Sequence, residues 1–381
     1  MTSIGCANGA SDGPPTDAST GLMDAPPSSD GPLGSDGPPG VADAGPGPGP
    51  VSCGSNTCRN DQTCEQGECR FSCVGTSVPG DYATLQSAVN ALVGVDNDVT
   101  ICLTASDYNE TVQLTASRAS NKTLTIIGRG MDATTLQGSL EFHNGWRQIT
   151  LRGFNISSPA NRNGSSALGL YGYTQSTTPS ANLVAMKLSG DLGMYVSGKF
   201  NVSLDGCDVQ AGHDAIYIIN TTGNTIPINA HITNSYIHNA EVALSSSPGP
   251  TGTAMLSVIN TLVADVQYGI ALTSRTQTTL VNNLLTGAST EMLRWDGSST
   301  VTSHHNALWN NVTNYAGAAV EGANTIKTDC LLDRLARIPT LKPGSPCRNA
   351  GSAAEAPLHD FWFSARMPSV TPPDIGPIEV P

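Results

Sequence analysis

The chain has 381 residues, a formal net charge of −13, 13% charged and 5% aromatic side chains, and 40 glycines. That balance argues against nucleic acid or anionic membrane as an electrostatic partner. The Ser, Thr, Asn and Gly content suits strands and turns and excludes a mainly helical protein. No stretch of ~18 apolar residues is present, so nothing reads as a membrane-spanning helix.

The first element is the start itself, "MTSIGCANGASDG". Cys6 follows Ser3-Ile4-Gly5 and is followed at once by a polar tail, which resembles the lipobox of a bacterial lipoprotein. The resemblance implies a truncated export signal, a lipid anchor on Cys6 as the only membrane contact, and an outer-membrane, cell-surface or extracellular address. Cys6 as a plain tail residue is the alternative. Residues 7–50 hold ten Pro, ten Gly and six Asp with no Lys or Arg. Such a stretch cannot bury apolar surface and reads as a disordered acidic linker, so 1–50 forms the first segment.

Residues 51–75 form the second. Cys53, Cys58, Cys64, Cys69 and Cys73 fall within 21 residues, with gaps of four, five, four and three and no histidine. Zinc sites favour Cys-x2-Cys pairs or histidines; this density reads as a disulfide knot formed in an oxidising compartment. Cys53–Cys64 with Cys58–Cys69 is one of three pairings open to the first four. Cys73 can close on Cys102 in the first strand, and Cys330 and Cys347 flank a short loop and are natural partners. Cys207 is left as a buried free thiol.

The third segment, 76–381, opens on the one helical stretch, "GDYATLQSAVNALVG", in which Leu85, Val89 and Leu92 share a face. Short alternating runs follow, among them "DVTICLTA", "KTLTIIGRG" and "RQITLRGFNISS". Later runs superimpose on Gly206, Asn234, Asn260, Asn282 and His305, in steps of 28, 26, 22 and 23. A period near 22 with insertions predicts roughly nine coils of a parallel β-helix, stacked at the ~4.8 Å strand spacing. Asn234, Asn260 and Asn282 then stack at one tight turn, where Asn tolerates left-handed backbone. Gly153 and Gly206 serve the same turn. One residue on, Phe154, Cys207, Ser235 and Thr261 form an inward row.

Three pieces resemble the pectate-lyase-like superfamily of secreted β-helix proteins: "DYATLQSAVNAL", similar to its N-terminal capping helix; the Asn-anchored coils; and "LKPGSPCRNAGS" with "HDFWFSARMPSVTPPDIGPIEVP", similar to its closing segment. The resemblance implies an all-β, right-handed, single-stranded solenoid from about Gly80 to Pro381. It does not settle activity, because this fold hosts many functions.

Laying the second strand of each coil on the next puts Met194, Ile216, Ala243, Ile270 and Leu293 inward. Tyr195, Tyr217, Leu244, Ala271 and Arg294 then point outward, with Leu192, Asp214, Glu241, Tyr268 and Glu291 just before the strand. Tyr195, Tyr217, Tyr268 and Arg294 become ligand-binding candidates on one face. Asp214, Glu241 and Glu291 become catalytic candidates, since rings stack on sugar faces and carboxylates accept hydroxyl protons. Glu241 and Glu291, two rungs apart, fall near ~9.6 Å, beside the ~6.5–9.5 Å of inverting hydrolysis.

Family motifs argue against catalysis. Of the polygalacturonase set only "GHDAI" resembles one member, with His213 in place of its first Asp. The clustered Asp ligands and basic residue of calcium-dependent pectate lyases are missing, as is the Asp-Pro-His-Asp box of mannuronan epimerases. His304-His305 suggests a metal, but neighbouring strand residues point to opposite faces, so neither metal nor cofactor is assigned. The sequence therefore reads as an exported, monomeric, non-catalytic glycan-binding or surface-display protein with a polysaccharide partner. A polysaccharide lyase or glycoside hydrolase is the rival class, and a surface spacer the third, favoured if loops such as Ser247–Gly252 cover the face.

Overall fold

In the computed structural model the described residues run from 51 to 380, apart from 54–55, 60, 66–67, 94–96, 116–119, 144–145, 160–164, 173–177, 221–226, 250–251, 274 and 367–370. The anchor at Cys6 and the linker at 1–50 lie outside them.

The alternation of apolar and polar residues folds as read: the described residues build a parallel β-solenoid whose coils each pass through three faces. The first face is a sheet of ten strands: Thr76–Val78, Val99–Leu103, Ser120–Ile127, Trp146–Arg152, Ser180–Val184, Asn201–Asp205, Ile228–Thr233, Ala254–Ile259, Thr276–Val281 and Thr300–His304. The other two faces belong to one bent sheet. Early coils break at the bend, as in Asp208–Ala211 followed by Asp214–Asn220. The later strands Tyr236–Pro248, Leu262–Leu272 and Leu284–Trp295 run unbroken across it. Inward side chains stack into one apolar column; Leu140, Leu168, Met194, Ile216, Leu244, Ile270 and Leu293 form one of its rows.

The helix is Leu85–Leu92, and it buries Leu85, Ala88 and Val89 in the same column as the first rung. Its free amides are all spoken for at the start. The Thr84 side chain accepts from the Ser87 amide, and the Glu110 carboxylate accepts from the amides of Leu85 (2.8 Å) and Gln86 (2.9 Å). Such caps satisfy donors that an isolated helix leaves open.

The turn from the first face to the second is the anchor column. Gly153, Ala185, Gly206, Asn234, Asn260, Asn282 and His305 all have positive φ. Ala185 there was not anticipated, since alanine has neither the freedom of glycine nor the local hydrogen bonds of asparagine. The inward row one residue on is a hydrogen-bonded ladder. The amide of Cys207 donates to Ser235 Oγ, that of Ser235 to Thr261 Oγ1, that of Thr261 to Asn283 Oδ1 (2.9 Å), and that of Asn283 to Asn306 Oδ1 (2.9 Å). A second column of positive φ, Asn239, Asp265, Gly287 and Asn310, makes the bend between the second and third faces.

The cysteines pair as Cys53–Cys64, Cys58–Cys69, Cys73–Cys102 and Cys330–Cys347, with Cys207 free and buried. Cys73–Cys102 ties the knot to the first sheet. Both chain-terminal segments then cover the anchor column. From the knot, Arg59 donates to the Phe361 carbonyl and lies 4.6 Å over the Phe363 ring, while Asp61 binds Arg152 at 2.6 Å. A Cβ on Gly153 would meet the Phe71 ring at 2.1 Å, and one on Gly206 would meet Arg59 at 2.4 Å, so the knot seats only against glycine there.

From the C-terminal segment, buried Arg366 donates to Asn234 Oδ1 and to the Gly376 carbonyl, and pairs with Glu379 at 2.8 Å. Asn260 donates to the carbonyls of Asp374 and Gly376, and Asn282 to that of Ser352. The later rungs of the second face are covered too. Leu332, Ile338 and Leu341 pack on Tyr236, Leu262, Ala264, Leu284 and Trp309, and Arg334 grips Asp265 through both carboxylate oxygens.

Candidate functional site

With the anchor column and the later rungs of the second face covered, the third face carries the outward aromatic rings. Its outward row, set by the strand register, is Gln113, Glu141, Gly169, Tyr195, Tyr217, Ser245, Ala271, Arg294 and Ala316. Tyr195, Tyr217 and Arg294 thus share one row. Tyr217 and Arg294 stand three rungs apart, about 14 Å at the strand spacing.

The register corrects the sequence alignment in one coil. Leu244, not Ala243, lies inward beside Ile216 and Ile270, and Ser245, not Leu244, points outward. The reason is a constant length from corner to core: Gly206 to Ile216, Asn234 to Leu244 and Asn260 to Ile270 each span ten residues. The coil from Asn282 to Leu293 carries one more, absorbed by an irregularity before Glu291. Matching carboxylate to carboxylate shifted the alignment by one position, and in a strand that exchanges the two sides.

Glu241 therefore leaves the row it was given. That row is Asp214, Val242, Tyr268 and Glu291. Asp214 and Glu291 stand three rungs apart, about 14 Å, beyond the ~9.5 Å limit for a hydrolytic pair. Glu291 is bound to Arg294 at 3.2 Å. Glu241 sits instead one rung from His213, whose carbonyl accepts from the Val242 amide.

What gathers at this bend is a histidine between two carboxylates. His213 Nδ1 meets Asp214 Oδ2 at 2.5 Å, and Nε2 lies 3.6 Å from Glu241 Oε2. Ser245 Oγ donates to the other oxygen of Asp214 at 2.6 Å. Asp214 is thus enclosed and doubly engaged, its side chain 9% accessible, while His213 is 55% accessible. The Asp214 hydrogen bond, with the charges of Asp214, Glu241 and Asp191, holds the imidazolium to higher pH than an ordinary histidine. Because Ser245 binds the carboxylate and not the imidazole, the three do not form a serine-nucleophile triad.

The rings continue past the residues singled out in the sequence. His143 stacks on Tyr171 with centroids 4.5 Å apart and planes at 2°; Tyr171–Tyr195 and Tyr195–Tyr217 follow, each at 5.6 Å. Tyr171 pairs in register with Ser197, two residues along from Tyr195. It reaches the row because Gly169 has no side chain; a Cβ there would meet the Tyr171 ring at 2.7 Å. Glu141 binds His143 at 3.0 Å and accepts from Gln113. His143, Tyr171, Tyr195 and Tyr217 are all half-buried, so each ring keeps an accessible part. Burial raises the Tyr217 hydroxyl above the usual phenol range, which keeps it a donor.

The face is a platform, not a pocket. Shallow depressions lie beside it, one lined by Ser189, Gly190, Gln210, Ala211 and Asn239 and another by residues around Gln137, Ser139 and Ser165. His304 and His305 also differ from expectation. Their Nδ1 atoms lie 2.9 Å apart, because positive φ at His305 breaks the strand alternation. His305 is held by Asn324 and His304 faces Glu355 at 3.7 Å, so the pair belongs to a hydrogen-bonded chain. Among the described residues the cluster with metal-ligand spacing is Cys53, Cys58 and Cys69, whose sulfurs are all in disulfides.

No protein-family model and no curated protein matches the chain. Among solved structures, the crystal structure of pectate lyase Pel9A is similar over 81% of this chain and 96% of that one, at 11% identity and a TM-score of 0.47.

Proposed function

We propose that the third face is a non-catalytic glycan-binding platform, on a protein exported to an oxidising compartment and held at the cell envelope through Cys6. The observation that carries this is the row His143–Tyr171–Tyr195–Tyr217, accessible along four successive rungs and bordered by carboxylates, serines and Gln113. Rings offer apolar faces to sugar C–H groups, and the polar border offers partners for hydroxyls. A run of such sites suits a polymer lying along the solenoid better than a small molecule, which needs enclosure. The four disulfides fit the export reading.

One arrangement favours a second reading, a lyase or hydrolase: His213 between Asp214 and Glu241, poised to move a proton. Both readings are tested with purified protein and a panel of neutral and uronate polysaccharides. Binding without product release is expected, and Tyr195→Ala with Tyr217→Ala should weaken it about 30-fold or more, at about 1 kcal/mol or more per ring. Product release abolished by His213→Ala would establish the second reading instead. Absence of both binding and cleavage would leave a spacer.

A further inference from the structure

Resting on the glycan-binding reading, we propose that this platform takes uncharged glycans and rejects polyuronates. Among the described residues, the outward rows and the bend beside them carry the carboxylates Glu141, Asp191, Asp214, Glu241 and Glu291, and against them stand Arg294 and two histidines, His143 and His213. The face is net negative whether or not both histidines are protonated.

Each of these three cations already faces a carboxylate of the chain. Arg294 holds Glu291 at 3.2 Å, His143 holds Glu141 at 3.0 Å, and His213 sits between Asp214 at 2.5 Å and Glu241 at 3.6 Å. A uronate chain laid over Tyr171, Tyr195 and Tyr217 would bring one negative charge per sugar against this border. Like charges juxtaposed at an interface are strongly unfavourable. The border lies within the ~8 Å over which charges act at physiological salt, and the chain's overall −13 adds to the repulsion.

An uncharged sugar meets the same groups differently. Its hydroxyls donate to Glu141 and Glu241, the Tyr217 hydroxyl and Ser247, which pairs in register with Ile219 two residues along from Tyr217, supply donors in return, and its C–H faces lie on the rings. Carboxylates accepting from neutral hydroxyls make charge-assisted hydrogen bonds, stronger than neutral ones.

The test measures binding of the full chain to soluble neutral polymers (xyloglucan, mixed-linkage β-glucan, galactomannan) and to polygalacturonate and alginate, each with calcium and with chelator. At least one neutral polymer is expected to bind, with both uronates about tenfold or more weaker and the gap narrowing as salt is added. Glu141→Gln with Glu241→Gln should raise uronate binding at low salt, while losing the charge-assisted hydrogen bonds weakens neutral binding. Uronate binding equal to or tighter than neutral, with or without calcium, overturns the proposal but leaves glycan binding standing. Uronate binding that does not rise in the double variant also overturns it, because the carboxylates would not be the source of the rejection. No binding to any polymer fails the glycan reading itself.

Discussion

Arg366→Ala is expected to destabilise the chain by about 3–5 kcal/mol, the range for removing one partner of a buried ion pair. The Arg366 side chain has no solvent exposure and engages Glu379, Asn234 Oδ1 and the carbonyls of Gly376 and His359. Removing it leaves the half-buried Glu379 carboxylate uncompensated and unfastens the C-terminal segment from the anchor column. Burial already raises the Glu379 carboxyl above the usual range, and Arg366 is the main influence drawing it back down.

Without Arg366 the folded-state pKa of Glu379 moves further above its unfolded value. A carboxyl raised in this way favours the fold fully below its unfolded pKa, and that contribution is lost as pH rises through the folded pKa. The variant should therefore lose more stability at neutral pH than under mildly acidic conditions, as read by urea titrations at both. Equal loss at the two pH values would show that Glu379 is not the group left exposed.

Asn283→Ala is expected to cost about 2–5 kcal/mol, and Asn282→Gly next to it less, because its partner Ser352 is only half-buried and water can replace the lost bonds there. Asn283 is fully buried. Its oxygen accepts from the Thr261 amide at 2.9 Å, and its Nδ2 donates to the Val258 carbonyl at 2.8 Å. Alanine would leave both backbone groups without their partner, at about 1–3 kcal/mol each, and a cavity besides. Asn282 supplies the positive φ of the corner, a role glycine fills readily, although its contacts to Asn260 and Ser352 would go. Because a solenoid couples mainly neighbouring rungs, the Asn283 change should first expose amides of Ala254–Ile259 and Thr276–Val281 to exchange. Equal losses from the two substitutions would contradict the separation of roles.

These residues also show what the sequence discloses. The spacing of Gly206, Asn234, Asn260, Asn282 and His305 was legible because left-handed backbone restricts the residue types at that corner, and the register places all five in one column. The presence of a disulfide knot was legible from number and gaps, but its connectivity was one of three open pairings that the structure narrows to Cys53–Cys64 with Cys58–Cys69. Asn283 and Asn306 were not, because a buried ladder asparagine and a corner asparagine look alike in a string. The third-face register slipped at Glu241 because chemistry was matched before length was counted. Tyr171 and His143 were missed because their place in the ring row depends on the space above Gly169, a contact between coils that no local pattern records.

The central claim is that sugar lies on the third face. Hydrogen exchange of the chain with and without an oligosaccharide of whichever neutral polymer binds locates the ligand directly. Slowed exchange is predicted in Leu140–His143, Ser166–Gly172, Leu192–Gly198 and Asp214–Asn220, with no change on the first face. Slowing confined to first-face strands such as Asn201–Asp205 and Ile228–Thr233, with the ring row unaffected, would contradict it.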